Sequence, residues 1–538
     1  MTMQSQSFVD WLTLELVRRG SRYAFGVPGG GVSLDFIAAA QRAGMHTVIT
    51  AREDAAAMMA GVAGRLANAP GVAFSTKGPG LASATNGLAS ALLDRMPVLF
   101  LAENFDADEL AYLSHQVFNQ AALATSLFGD KGGKEERVLA ATVEAVAPAL
   151  DALMSAPEGP SLLLADPKLM VSPVGNPVPS TLACPQMDET AVGRVCDLIR
   201  GASRPVIVVG LEATKAPIAH VARQLAAVLG APALVTYMAK GVIPDEHPNF
   251  AGIFTGGAIE QTTVGASDLI ILVGLDPVEL IRKPWPYNAP VVDLCAHTHH
   301  PHYFEPAARV EGDLTSILSA ILEEELSCEW NGLEIIEQRE KFQAGMAMTG
   351  ESGLTSEVVV HEVGKAFEFK PRLAVDAGAH MFSACAFWQA REPLDVLISN
   401  GLASMGFSLP AAIAAALHDQ ERGAVAMTGD GGLLMCLGEL KTAAALNTNL
   451  TVVVFNDASL SLIDIKREER QMPDLGLSWD APDFAQVARG FGFSAWRVDN
   501  LDALRIAARD AATLNGPCLI DVRIDASGYR SQLRRLRG

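Results

Sequence analysis

The sequence predicts an α/β protein built from three doubly wound parallel-sheet domains. Short apolar segments of strand length alternate with amphipathic or alanine-rich helical segments along most of the chain. Such alternation is typical of parallel sheets that are covered by helices on both faces. The chain has 538 residues, too many for one domain and enough for three of ordinary size, which we place at 1–172, 188–330 and 352–528.

The composition indicates a cytoplasmic enzyme with extensive burial. Hydrophobic residues make up 49% of the chain and charged residues 19%. The net charge of −20 disfavours nucleic acid as a partner, and nothing favours binding to an anionic membrane. No apolar run approaches the roughly 20 residues of a membrane span, and the N-terminus lacks the basic start and apolar core of a signal peptide. The seven scattered cysteines form no CxxC pair, which favours a reducing compartment.

The first domain begins with an amphipathic helix over residues 8–19, which Gly20 closes. A short strand from Tyr23 leads into a glycine turn at 29–31, and an alanine-rich helix is expected at 54–67. Further strands are expected at 46–50, 72–75 and 97–101.

A proline-rich stretch at 170–189 is predicted to link the first domain to a Rossmann-like middle domain. This domain has no GxGxxG after its first strand, which disfavours a nucleotide-dependent oxidoreductase. A charged connection at 323–341 leads to the third domain. The middle strands are expected at 205–210, 233–236, 268–273 and 290–293.

The third domain contains a buried strand that ends in the glycine turn 429–432, then a helix at 433–446 and a strand that stops at Asn456-Asp457. The glycines let the backbone approach a phosphate, and the start of the helix offers free N–H groups. Asp430 and Asp457 would supply oxygen ligands for a hard cation. The stretch therefore predicts a pocket for a metal and a diphosphate, with a metal-free Rossmann-type turn as the alternative.

The whole unit resembles the binding motif of the thiamine diphosphate (ThDP) enzymes. The resemblance implies that Asp430, Asp457 and the carbonyl of Ser459 hold magnesium on the diphosphate. It departs from the family pattern at Asp457, where asparagine is usual; a second carboxylate should hold the ion more tightly but adds a negative charge facing the diphosphate. Cofactor contacts are also assigned to Gly429, Gly431, Gly432, Leu460 and Ser461.

The resemblance also implies a carboxylate against the aminopyrimidine ring, where it exchanges a proton with N1′. The family places this glutamate after an early strand and before an alanine-rich helix, which selects Glu53 as the catalytic residue. Asp54 is then a helix N-cap or a first-turn acid. The alternative is that Glu53 itself is only a first-turn acid.

Four further segments resemble parts of the same family site. The loop with Gly29 resembles the first active-site loop, and Gly78 with Asn86 resembles the loop and helix under the pyrimidine. The segment 401–410 resembles the one that bends the cofactor, with Met405 as the wedge and the carbonyl of Ala403 as acceptor for the 4′-amino group. The stretch 376–380 resembles a segment near the diphosphate, to which we assign Ala379 and His380. The resemblance covers essentially the whole chain, in the order pyrimidine-binding, middle and diphosphate-binding domain.

The pattern is most similar to the large subunit of acetolactate synthase. This implies decarboxylation of a 2-oxo acid and transfer of the resulting enamine to a carbonyl acceptor, with His115 and Gln116 near the reacting groups. Ile463 stands where pyruvate-decarboxylase-like enzymes carry a glutamate, which favours transfer over simple release of an aldehyde. Release of the aldehyde is the alternative reaction. A ThDP-binding regulatory subunit is a more distant alternative function. His115 could also be a solvated loop residue.

The resemblance also implies partners. In this family the cofactor lies between the first domain of one subunit and the third domain of another, so we expect a homodimer or homotetramer. Biosynthetic acetolactate synthases bind FAD through an Arg-Phe-Asp pattern that is absent from residues 272–285, so we expect no FAD. The four histidines within 295–302 are predicted to form a polar loop rather than a zinc site.

Overall fold

A computed structural model describes residues 6–105, 112, 114–128, 137–174, 187–281, 283–299 and 302–538. Its eighteen described strands are β1 Tyr23–Val27, β2 His46–Ile49, β3 Gly71–Ser75, β4 Val98–Glu103, β5 Val138–Leu139, β6 Ser161–Ala165, β7 Pro205–Val209, β8 Ala233–Val235, β9 Phe250–Ile253, β10 Leu269–Val273, β11 Val291–Cys295, β12 Ala308–Glu311, β13 Arg372–Val375, β14 Val396–Ile398, β15 Ala424–Gly429, β16 Leu450–Asn456, β17 Ser494–Val498 and β18 Cys518–Arg523.

These strands form three six-stranded sheets, ordered β2-β1-β3-β4-β6-β5, β12-β11-β10-β7-β8-β9 and β14-β13-β15-β16-β18-β17. Every strand pair is parallel, and neighbours in the chain are joined by crossovers that mostly contain a helix. The predicted fold class is therefore confirmed. The middle sheet has the strand order of a Rossmann fold, with its switch point between β7 and β10.

The helices alternate with the strands, and none in the described part of the chain is long and apolar enough to cross a membrane. They are α1 Phe8–Arg18, α2 Val32–Ala43, α3 Glu53–Ala67, α4 Pro79–Leu93, α5 Gln120–Phe128, α6 Val143–Ala152, α7 Pro167–Met170, α8 Glu189–Gly201, α9 Ala216–Leu229, α10 Gln261–Val264, α11 Leu314–Leu322, α12 Gly332–Met346, α13 Ser356–Ala366, α14 His380–Phe387, α15 Ser408–His418, α16 Asp430–Cys436, α17 Glu439–Leu446, α18 Ser461–Glu469, α19 Phe484–Gly490, α20 Leu501–Thr513 and α21 Tyr529–Arg537.

The chain divides into two compact units. The first unit is Met1–Ala183 with Gly401–Glu421 and Cys436–Thr448, and the second is Cys184–Asn400 with Arg422–Met435 and Asn449–Gly538. The first unit contains the first sheet, and the second unit contains the other two.

In the first unit, α3 packs closely against α4 and α15. Small residues make this approach possible, because a Cβ atom on Gly87 of α4 would lie 2.3 Å from the backbone oxygen of Asp54. Ala55, Ala56 and Ala57 of α3 are buried for the same reason. The alanine-rich pattern seen in the sequence thus reflects close helix packing next to Glu53.

In the second unit, the central strands are buried along their whole length. All five residues of β10 and all seven of β16 are buried, as expected for parallel strands covered on both faces. Valine, isoleucine and leucine from these strands form the main cores of the middle and third domains.

One sequence prediction about local structure is wrong in detail. The helix expected at 433–446 is two helices, α16 and α17, because the chain breaks at residues 437–438. The charged connection at 323–341 contains most of α12, whose Asn331–Glu334 capping box and buried Ile335 and Phe342 stabilise it. Asp54 is a first-turn acid, one of the two positions expected for it, and the N-cap is Arg52, which makes no side-chain capping hydrogen bond.

Candidate functional site

The predicted site residues fall into two groups, one in each unit. In the second unit, β15 lies between β13 and β16, so its carboxyl end adjoins theirs. Asp430 follows β15 as the first residue of α16 and is only 2% exposed. Its Oδ1 accepts a hydrogen bond of 2.9 Å from the backbone N–H of Gly431. Its Oδ2 is buried and has no hydrogen-bond partner among the described residues.

Asp457 lies at the end of the neighbouring strand, close enough to Asp430 for its charge to act on that carboxylate. Burial, and then the charge of Asp457, raise the pKa of Asp430 to about 6. Burial also raises the pKa of Asp457. Because like charges destabilise each other at short range, the pair is poised to take up a cation.

The second carboxylate is held by its own chain. Asp457 Oδ1 accepts from the backbone N–H of Ser459 at 3.2 Å, and Oδ2 accepts from Ser461 Oγ at 2.5 Å. Ala458 turns the chain between them with a φ of 59°, a left-handed conformation that costs free energy for a non-glycine residue. Leu460 stands at the N-cap position of α18. Predicted residues Ser459 and Ser461 therefore support Asp457, a function that sequence spacing alone did not suggest.

This set of atoms fits a hard divalent cation. Two neighbouring carboxylates supply charged oxygens, and one of those oxygens is buried without a partner. Magnesium prefers oxygen ligands of this kind. The chemistry of the donors thus agrees with the predicted metal site.

His380 lies beside the same turn, as the first residue of α14. It is 2% exposed, and its ring stacks on Phe455 of β16 with the ring centres 5.0 Å apart. Burial lowers its pKa to about 4, so the imidazole is neutral at pH 7. Its Nε2 is buried and has no hydrogen-bond partner among the described residues. A Cβ atom on Gly429 would lie 3.6 Å from the ring, and Ala379 forms the N-cap.

The presence of glycine at position 432 is explained by a packing contact that the sequence did not indicate. A Cβ atom there would lie 2.3 Å from Oδ2 of Asp376, a buried carboxylate at the end of β13. The same oxygen accepts 2.8 Å from Thr428 Oγ1. Gly432 is therefore required by this internal contact, whatever the turn binds.

In the first unit, Glu53 is the first residue of α3 and is half-buried. Its carboxylate makes no hydrogen bond or ion pair with any described residue, whereas the neighbouring Asp54 pairs with Arg52 at 3.1 Å. Glu53 is thus the acid of this turn that is available to a ligand.

Loops that follow β1, β3 and β4 meet beside one another in the first sheet. A Cβ atom on Gly29 would lie 2.3 Å from Thr76 Oγ1, and one on Gly78 would lie 2.5 Å from the backbone oxygen of Gln116. Gly78 and Gln116 both have left-handed φ values, 65° and 63°. The structure therefore brings three predicted site residues into one cluster of loops.

Gln120 connects these loops and was not predicted. It is 3% exposed, accepts 2.6 Å from the Gly78 N–H and donates 3.1 Å to the Glu103 carbonyl. Its position near Gln116 in the sequence was the only available signal. His115, in contrast, is exposed and has no polar or ring contact within the described residues.

The segment predicted to bend the cofactor packs on α4 within the first unit. Asn86 Nδ2 donates to Ser404 Oγ at 3.0 Å, and the Gly401 N–H donates to buried Asp94 at 2.7 Å. Ala403 is exposed and has a φ of 55°. Left-handed non-glycine residues of this kind often occur where function demands them. Met405 follows as a half-buried residue.

One histidine of the middle-domain segment, His299, lies against two carboxylates. His299 Nε2 lies 3.2 Å from Glu212 Oε1 and 3.6 Å from Asp276 Oδ2. Within the described ranges, no group of three or more His, Cys, Asp or Glu side chains could hold a metal ion. Backbone N–H groups after β7 are paired internally, with Leu211 donating to Glu279 at 2.8 Å.

Comparison with known proteins gives three family matches in the predicted order. Residues 6–123 match the N-terminal TPP binding domain of thiamine pyrophosphate enzymes, 192–321 the central domain, and 376–522 the C-terminal TPP binding domain.

Similar proteins cover nearly the whole chain. Acetolactate synthase of Bacillus subtilis (strain 168) is 26% identical over 536 residues, which is 95% of this chain and 92% of the relative. Acetolactate synthase isozyme 1 large subunit of Escherichia coli (strain K12) is 24% identical, with coverage of 95% and 92%. Pyruvate oxidase of Lactiplantibacillus plantarum is 25% identical, with coverage of 93% and 86%.

Proposed function

We propose that this chain, which belongs to the thiamine pyrophosphate (ThDP) enzyme family, decarboxylates a 2-oxo acid and transfers the remaining acyl unit to a second carbonyl compound. The chain is a ThDP-dependent enzyme of the acetolactate synthase and pyruvate oxidase group. The specific reaction, the magnesium requirement and the residues are our proposal.

The observation that carries the proposal is the Asp430–Asp457 pair. Asp430 Oδ2 is buried without a partner, and Asp457 is close enough to raise the pKa of Asp430. We assign magnesium to these carboxylates and to the Ser459 carbonyl, with the diphosphate against the turn of Gly429, Gly431 and Gly432. The hydrogen bonds from Ser459 and Ser461 to Asp457 offset part of its added charge.

When bound, ThDP supplies a nucleophilic carbon and an electron sink for the negative charge left by carbon dioxide. The task of Glu53 is to exchange a proton with N1′ of the pyrimidine, which suits a half-buried carboxylate that has no partner among the described residues. Neutral His380, with its buried unpartnered Nε2, is assigned to the diphosphate side. Ala403 and Met405 are assigned to the pyrimidine amino group and the space between the rings.

Transfer is favoured over simple aldehyde release by the residues after Asp457. Ile463 is apolar and 48% exposed. The nearest acid, Asp464, is engaged with Arg467, whose Nε lies 2.6 Å from its Oδ1. An acid that would deliver a proton to the acyl unit is therefore missing from position 463, and we assign Gln116 to the side of the acceptor.

We also infer a homodimer or homotetramer, since ThDP enzymes typically place the active site at a dimer interface. FAD is not part of the proposal, because the Arg-Phe-Asp pattern expected of FAD-binding relatives is absent from residues 272–285.

The test is incubation of the full chain with pyruvate, ThDP and magnesium, followed by analysis of carbon dioxide and products. Acetolactate or acetoin is expected, and Glu53→Gln is the inactive control. Acetaldehyde alone would favour the simple decarboxylase. Absence of carbon dioxide release from pyruvate and from a panel of other 2-oxo acids would contradict the proposed function.

A further inference from the structure

A buried glutamate outside the predicted site contacts the turn that carries Glu53. Glu439 is the first residue of α17 and is 1% exposed. Its Oε1 accepts from the backbone N–H groups of Ala51 and Arg52, each at 3.1 Å. These two residues join β2 to α3 and directly precede Glu53.

The carboxylate is held by hydrogen bonds rather than by a cation. Its third donor is Thr442 Oγ1, at 2.7 Å from Oε2, and no Lys, Arg or His among the described residues forms an ion pair with it. A buried carboxylate without a counter-ion is costly, and burial raises the pKa of Glu439. An apolar residue here would take the acceptor away from two backbone N–H groups, so the acid points to a function in the turn.

The break between α16 and α17 makes this contact possible. Because the chain interrupts the helix at residues 437–438, Glu439 starts a new helix at the turn. Gly438 permits the approach, since a Cβ atom there would lie 2.9 Å from the Cβ atom of Ala51. The start of α17 and the turn at 51–52 are therefore in close contact over two successive residues.

We propose that Glu439 is a positioning residue. It fixes the position of the Glu53 carboxylate by holding the backbone N–H groups of the two residues that precede Glu53. The inference rests on the proposed function of Glu53. A displacement of about 1 Å at a reacting group can cost about a hundredfold in rate, so a rigid turn at this point has a large effect on turnover.

The primary test is Glu439→Gln in the full-length protein. The amide keeps the volume, and its NH2 group can donate to the Thr442 hydroxyl, but it cannot accept the second contact of the Ala51 N–H, which lies 3.3 Å from Oε2. The two backbone N–H groups also lose their charge-assisted acceptor, so the turn is held less tightly. We expect kcat for the 2-oxo acid to fall about a hundredfold. Binding of ThDP with magnesium, measured by calorimetry, should change by less than about threefold, because the diphosphate turn is untouched.

A double-mutant cycle separates positioning from general damage. If Glu439 acts only through Glu53, then Glu53→Gln combined with Glu439→Gln should have the same residual kcat as Glu53→Gln alone. Multiplication of the two effects would overturn the proposal, as would an unchanged kcat in Glu439→Gln.

Two more variants cover the case in which Glu439→Gln does not fold. Gly438→Ala pushes Ala51 away while Glu439 stays, and it should also lower kcat with ThDP binding retained. Thr442→Val is the matched control, since it removes a hydrogen bond to the same carboxylate without touching the turn; its kcat should stay within about twofold. A loss in Thr442→Val equal to that in Gly438→Ala would contradict positioning. If the wild-type protein itself shows no ThDP-dependent decarboxylation, the proposed function fails first, which distinguishes the two failures.

Discussion

Replacing Asp430 by asparagine is expected to stabilise the cofactor-free protein and to abolish its stabilisation by magnesium with ThDP. In the wild type, Asp430 Oδ2 is buried without a partner and lies near a second carboxylate. An asparagine keeps the Oδ1 acceptor for the Gly431 N–H. Its amide group removes the charge and can donate towards Asp457.

The magnitudes follow from these contacts. A buried polar group without a hydrogen-bond partner costs about 1–3 kcal/mol, so the free energy of unfolding of the cofactor-free variant should rise by about that amount. A ligand at a thousand times its Kd stabilises the folded state by about 4.1 kcal/mol. The wild type should gain this stabilisation when magnesium and ThDP are added, and the variant should gain almost none.

Urea unfolding with and without magnesium and ThDP measures both effects. The order of stability should invert: the variant is the more stable protein without ligands, and the wild type is the more stable one with them. Asp510→Asn is the matched control, because it makes the same charge change at an exposed helix position. A cofactor-free variant less stable than the wild type, or one that magnesium and ThDP still stabilise, would refute the metal assignment.

Three further predictions concern other parts of the site. Glu53→Gln should lower kcat by about 10²–10⁴-fold while ThDP still binds. Asp54→Asn should change kcat by no more than a few-fold. Equal losses of kcat in the two variants would contradict the catalytic assignment of Glu53. The pKa of His380 is lowered from its ordinary 6.5 to about 4, which keeps the ring neutral. The unfolded chain takes up a proton at this histidine first, so the free energy of unfolding of the wild type should fall by about 3 kcal/mol as the pH falls from 6.5 to 4. The urea midpoint of His380→Gln should fall less steeply over the same range. Residue 78 has a φ of 65°, and an alanine there would place its Cβ atom 2.5 Å from the backbone oxygen of Gln116. In Gly78→Ala, kcat/KM should therefore fall about tenfold. Gly30→Ala, with nothing within 4 Å, should be neutral, and equal effects of the two alanines would exclude a special constraint at residue 78.

The sequence was sufficient for the fold because its patterns are local. Continuous apolar runs such as the one that forms β16 are buried on both sides in a parallel sheet, and the helical runs between them leave few other arrangements. The Asp430 and Asp457 pair could be predicted for a related reason, since both follow adjacent parallel strands and such strands end at the same edge of the sheet. Glu53 was selected by its place between a strand and an alanine-rich helix, and that helix begins at Glu53.

Other features depend on contacts between distant parts of the chain, and the sequence did not reveal them. Within the helical pattern at 433–446 only Gly438 hinted at a break, and nothing in the pattern showed that the break lets Glu439 hold the turn before Glu53. Gly432 matched a phosphate-binding pattern, but only the fold showed that it also makes room for Asp376.

Periodicity and glycine motifs therefore predicted most of the strands and helices, and the family resemblance selected the candidate site residues in each unit. The tertiary structure alone decided which buried donors and acceptors pair across the chain, such as Glu439 with Ala51 and Gln120 with Gly78. The physical reason is that a buried polar group must find a partner wherever the packed chain provides one, and residue spacing carries no record of that partner.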